Sequence, residues 1–224
     1  VLAYPFLHVE HLSPGFTFPK RPTALLDEIA SGFDPASGFI RDTTVNRFTH
    51  RIPEGWNDST INGWWSGFLP NTRDNHCAYN QGHAAYYLLK SAQIEPRPGW
   101  REAALGILDS AVALQRDDGA LGYVFSGTDR RVVDFDGFAG CWFVPALVEA
   151  YRHTRDSRWL ESARLATSYY HRFIRDLTAW GSPMDTCKSI DSEGNLAFIR
   201  ATRLLHEETG EPAFLDALRD GANY

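Results

Sequence analysis

The stretch "SPMDTCKSIDSEGNLAF" brings Asp185, Asp191 and Glu193 together within nine positions, directly before an apolar run with helical spacing. Two more acidic groups precede helix-like runs in the same way: Asp74 in "TRDNHCAYNQGH", and Asp134 with Asp136 in "VVDFDGFAGCW". Paired carboxyls can cleave a glycosidic bond, one protonated to assist the leaving oxygen and one ionised to activate water or attack the sugar. The same residue types also cap helices, satisfying N–H groups and complementing the dipole. That dipole favours the ionised carboxylate by about 0.3–1 kcal/mol, which desolvation or a second carboxylate can outweigh. Asp136 and Asp191 are expected as the working pair, with Asp185 and Asp74 in reserve.

Groups suited to holding a sugar accompany these acids. Trp64, Trp65, Trp142, Tyr79 and Phe138 could stack on ring faces, although Trp142 reads equally well as core. His76 and His83 lie seven apart, two helical turns on one face, and His76 could assist a carboxyl or bind a hydroxyl. Asn80, Gln81 and Asn195 are neutral hydrogen-bonders, and Lys188 or Arg73 could hold a charged substituent.

Other chemistries have less behind them. Cys77, Cys141, Cys187, His76 and Asp185 all fall near helix starts, but no Cys-x-x-Cys or similar paired motif joins them, so buried free thiols are expected rather than a zinc site. No nucleophile elbow, phosphate loop or dinucleotide fingerprint is present, and no cofactor is expected.

These residues need a scaffold. The chain has 224 residues, 43% of them hydrophobic and 22% charged, which suits one globular domain. A net charge of −6 argues against a nucleic-acid partner. No apolar run is long enough for a membrane span, and the first residues lack the pattern of a signal peptide. Compartment and oligomeric state stay open, and the chain reads as a mature product or a part of something longer.

Residues 1–74 are punctuated by Pro and Gly and read as irregular, apart from a helix over 23–31. From residue 75 onward, apolar spacing of i, i+3, i+4 predicts helices in pairs. A shift of 55 lays Asp136 on Asp191, Phe143 on Phe198, Thr154 on Thr209 and Trp159 on Phe214. A shift of 59 lays Trp100 on Trp159. "YRHTRDSRWLESA" and "HEETGEPAFLDAL" are therefore the same turn, and each unit must stack on its neighbours to bury its apolar face. The expected fold is all-α, with helical hairpins over 75–224 forming a solenoid or an (α/α) toroid. Gly-, Asn- and aromatic-rich inner-helix starts and long preceding loops favour the toroid.

The turns from Thr154 and Thr209, "QRDDGALGY" from Gln115 and the acidic inner-helix starts resemble the six-hairpin glycosidase-like superfamily of (α/α)6 toroids. Within it, "DSEGNLAFIRATRLLHEETGEPAFLDAL" looks like the segment carrying the acid/base aspartate of unsaturated glucuronyl hydrolases. The resemblance covers about residues 75–224 and implies a glycoside hydrolase acting on carbohydrate. Three hairpins are visible where such a ring has six. The alternatives are a polysaccharide lyase or sugar epimerase on the same toroid, which would rely on His76, Tyr79 and His83, and a non-catalytic helical-repeat binding module.

Overall fold

The computed structural model describes residues 3–19, 21–40, 75–181, 190 and 192–224. These residues are mostly helical. Helices α1 (Ala3–Leu12), α2 (Pro22–Ser31), α3 (Ala78–Ile94), α4 (Pro98–Ala113), α5 (Phe143–Thr154), α6 (Ser157–Arg175), α7 (Ser192–Thr209) and α8 (Pro212–Ala222) form four successive hairpins. Helix α2 lies where the sequence predicts one, and α1 is an addition to the expected N-terminal segment. Among the described residues, no helix is long and apolar enough to cross a membrane.

The hairpins build two layers. Helices α1, α3, α5 and α7 pack side by side in that order, and α2, α4, α6 and α8 each back the helix that precedes them. Three of the backing helices begin with Pro at the first helical position (Pro22, Pro98 and Pro212), where the missing N–H costs nothing. The fourth, α6, is capped by Asp156, whose side chain accepts from the Arg158 amide at 3.1 Å. Two residues into α4, α6 and α8 stand the buried anchors Trp100, Trp159 and Phe214. Truncating a buried ring of this size costs about 3–5 kcal/mol.

The 55-residue repeat extends to individual hydrogen bonds. Thr154 Oγ1 donates to the Ala150 carbonyl and accepts from the Asp156 amide. Thr209 Oγ1 donates to the Leu205 carbonyl and accepts from the Glu211 amide. Between each Thr and its acidic successor the chain turns through a left-handed residue, Arg155 at φ 59° in one copy and Gly210 at φ 71° in the other.

Among the described residues, five short strands add what the helical periodicity does not predict. β1 (Phe33–Asp34) pairs with β2 (Phe39–Ile40). β3 (Asn75–Cys77), β4 (Val124–Ser126) and β5 (Val132–Asp134) form an antiparallel sheet in that order. β3 runs straight into α3, and β5 leads through a 3-10 turn (Ala139–Trp142) into α5. One small sheet thus anchors the leading ends of two neighbouring front-layer helices. Helix α5 is buried at every residue from 143 to 150 because α3, α4, α6 and α7 enclose it.

Candidate functional site

Side chains of α3 and α7 meet across the buried α5. The stripe Tyr79, His83, Tyr86, Tyr87 and Lys90 has the spacing of one helical face. Tyr79 donates its hydroxyl to Glu193 Oε1 on α7 at 2.7 Å. Two turns further along both helices, Arg200 Nη1 lies 3.4 Å from the Tyr87 hydroxyl, and its guanidinium carbon sits 5.3 Å from the Tyr86 ring centre. Contacts at matching depths on α3 and α7 put the leading ends of these helices at the same end of the layer. From α1, Tyr4 joins the cluster with its ring centre 5.6 Å from Tyr87.

Trp142 closes the cluster from the 3-10 turn. It is 5% exposed, with its ring centre 3.9 Å from His83 and 5.5 Å from Tyr79. Gly82 permits this approach: a Cβ there would lie 2.6–2.8 Å from the Trp142 carbonyl and Cβ. The composition "YNQGHAAYY" therefore positions the indole, the Gly by yielding space and the His by receiving the ring.

Electrostatics divide the face into two zones. Near the leading end, burial pushes the His83 imidazolium pKa down to about 3, with Arg200 acting in the same direction. Toward the far end, fully buried Glu149 accepts from Arg152 Nη1 at 3.0 Å and from Gln93 at 2.8 Å, with Lys90 at 3.9 Å. Arg152 also reaches Glu208 at 2.9 Å. That cluster is internally neutralised and serves packing, whereas Arg200 forms no ion pair among the described residues.

The expected site residues separate into three groups. Tyr79 and Trp142 join the cluster, and Asn80 is half-buried in the first turn of α3 beside them. Asp136 is exposed at the leading end, in the loop before the 3-10 turn, where its amide donates to Asp134 Oδ1 at 2.7 Å.

Three substrate-binding expectations are corrected. Gln81 is buried with both ends of its amide on Ile40, accepting from the Ile40 N–H at 2.9 Å and donating to its carbonyl at 2.7 Å, so it clamps β2 to α3. Asn195 turns toward α8, donating to the Gly221 carbonyl at 2.7 Å. His76 is sealed in the core against Phe39, 5.8 Å between ring centres, opposite Phe125 in the sheet. Asp74, Asp185, Asp191, Trp64, Trp65, Arg73, Cys187 and Lys188 lie outside the described residues.

Cys77 and Cys141 are both buried, and burial pushes the Cys141 thiol well up. Among the described residues, no group of three or more His, Cys, Asp or Glu side chains comes together as a metal site would require.

Tyr86, Tyr87 and Arg200 were not singled out from the sequence. Their signal was the spacing itself: four and eight residues after Tyr79 stand His83 and Tyr87, and seven after Glu193 stands Arg200. The chain matches no protein-family model and none of the curated proteins it was compared with, so the reading of this face rests on its own geometry.

Proposed function

We propose that the chain is part of an (α/α) toroid that binds carbohydrate on the face shared by α3, α5 and α7 and hydrolyses a glycosidic bond there. One observation carries the reading: Tyr79 and Glu193 meet at 2.7 Å across α5, beside the indole of Trp142. An aromatic platform next to a carboxylate held by a phenol suits a sugar ring, which offers an apolar face and a polar edge. In this reading the half-buried Tyr79 contacts the sugar, and the buried indole of Trp142 backs it. The acids expected from the sequence (Asp136, in the loop before α5, Glu193, in the first turn of α7, and Asp191) supply the proton donor and the carboxylate that activates water or attacks the sugar.

The test is Asp136→Asn, Asp191→Asn and Glu193→Gln, assayed on aryl glycosides and unsaturated uronides once circular dichroism shows the variants folded. Loss of about 10²-fold or more in kcat for at least two of them is expected, in line with removal of acid/base groups. Full activity in all three would remove the hydrolase assignment. A second reading, a polysaccharide lyase or sugar epimerase, draws on the presence of His83, Tyr79 and Arg200 on the same face. It predicts that Tyr79→Phe and His83→Gln abolish turnover while the Asp variants keep it.

A further inference from the structure

The environment of His83 is more constrained than sugar stacking requires. Its Nδ1 lies 3.0 Å from the carbonyl oxygen of Tyr79, one helical turn back. A carbonyl can only accept, so Nδ1 carries the hydrogen and a neutral ring keeps its lone pair on Nε2. The ring cannot swing away. Trp142 lies against it at 3.9 Å, Tyr79 meets it edge-on at 4.5 Å, and Tyr87 runs nearly parallel, at 7°, with 6.0 Å between centres.

Charging this ring is opposed by its surroundings. It is 8% exposed, walled by aromatic groups, and Arg200 touches Tyr87, the next ring along. The rings against it are Tyr79 and Tyr87 from α3 and Trp142 from the turn; Arg200 on α7 acts on it as a nearby positive charge held against Tyr87, and Glu193 reaches Tyr79. Among the described residues, no carboxylate pairs with the imidazole. Nε2 therefore stays an acceptor across the ordinary pH range, with no described protein partner. Along the same face, against Tyr87, Arg200 presents donors that no described carboxylate takes up.

We propose that His83 and Arg200 form an acceptor–donor pair that reads two hydroxyls of a bound sugar, making His83 a specificity-determining residue of this face. The inference rests on the carbohydrate reading but not on the hydrolytic step. Arg200 donates to one hydroxyl oxygen, and His83 Nε2 accepts from the hydroxyl that points at it. An epimer with that hydroxyl inverted leaves Nε2 buried and unsatisfied, a cost of about tenfold or more in affinity.

The experiment is 15N NMR of the histidine side chains in the full chain, assigned by comparison with His83→Gln, first free and then titrated with methyl glucoside, galactoside and mannoside. The expected result is a neutral Nδ1–H tautomer for His83 from pH 5 to 8, and a Nε2 shift induced by one epimer at least tenfold more tightly than by the others. His83→Gln, which retains an acceptor near the Nε2 position, should bind within about threefold of wild type, whereas His83→Phe should lose about tenfold or more. Titration of His83 near pH 6.5, the opposite tautomer, no perturbation by any of the three glycosides, or unchanged binding in His83→Phe would each overturn the proposal. Binding without turnover would leave it standing and remove the hydrolase reading instead. Turnover without a His83 response would do the reverse.

Discussion

Gly82→Ala tests whether the close contact between α3 and the 3-10 turn builds the aromatic face. The new Cβ would sit 2.6–2.8 Å from three atoms of Trp142, two of them backbone. Carbon atoms rest at about 3.5 Å or more, so the turn must retreat by roughly 0.9 Å at its nearest atom. Because backbone cannot rotate out of the way, the overpacking cost falls toward the upper part of the usual range, about 2–3 kcal/mol. Helix propensity returns about 1 kcal/mol, since Ala is that much better than Gly inside a helix. The net expectation is a loss of about 1–2 kcal/mol, or roughly 2–8 °C in Tm for a chain of this size. Gly99, in the first turn of α4, meets nothing within 4 Å and supplies the control. The same substitution there should be neutral or stabilise by up to about 1 kcal/mol. Urea unfolding followed by tryptophan fluorescence measures both, and near-ultraviolet circular dichroism reports Trp142 leaving His83. A Gly82→Ala protein as stable as the Gly99→Ala one, with an unchanged aromatic spectrum, would refute the reasoning.

Other outcomes follow from the same coordinates. Arg155→Gly should stabilise by about 0.5–1 kcal/mol in urea titrations, because relief of a left-handed non-Gly residue exceeds the exposed ion pair lost to Glu208. The repeat-equivalent Gly210→Ala should destabilise by about 1 kcal/mol. Glu149→Ala removes a fully buried acceptor of Arg152 and Gln93 while Arg152 keeps Glu208, and should cost about 1–3 kcal/mol, read as a lowered urea midpoint. The His83 pKa of about 3 lies below its unfolded value of about 6.5, so the unfolded chain takes up the proton first. Stability carried by His83 is therefore intact above pH 6.5 and declines as pH falls toward 3, by about 2 kcal/mol at pH 5. His83→Gln should flatten that part of the stability curve, and an unchanged slope between pH 4 and 6.5 would contradict it.

The pairing of helices from residue 75 was legible because each backing helix announces itself twice, by a Pro or Asp at its start and by an aromatic anchor two residues in. The equivalence of Thr154 and Thr209 was equally plain, since both serve a local hydrogen-bonding pattern that needs a hydroxyl at one position. Helix α1 was not legible. It is ten residues long, begins beside a Pro, and buries only Ala3 and Leu7, so its helicity comes from packing on α2 and α3 rather than from its own pattern. The strands were missed for a related reason: at two or three residues they are shorter than any alternation that could be recognised.

For the site, residue type was a weaker guide than residue position. Gln81, Asn195 and His76 have the chemistry of ligand binders, yet Ile40, Gly221 and Phe39 occupy or enclose them, and these partners lie 26–41 residues away in the chain. Tyr79, His83 and Tyr87 share a helical face as a matter of local geometry, and so do Glu193 and Arg200. Local order thus follows from hydrogen bonds and side-chain spacing within a turn or two, which the amino-acid order specifies directly. Whether a polar group faces its own backbone, a neighbouring helix or a ligand depends on which distant surfaces come into contact. Here that is settled by the enclosure of α5, which lets Tyr79 reach Glu193 and Tyr87 reach Arg200.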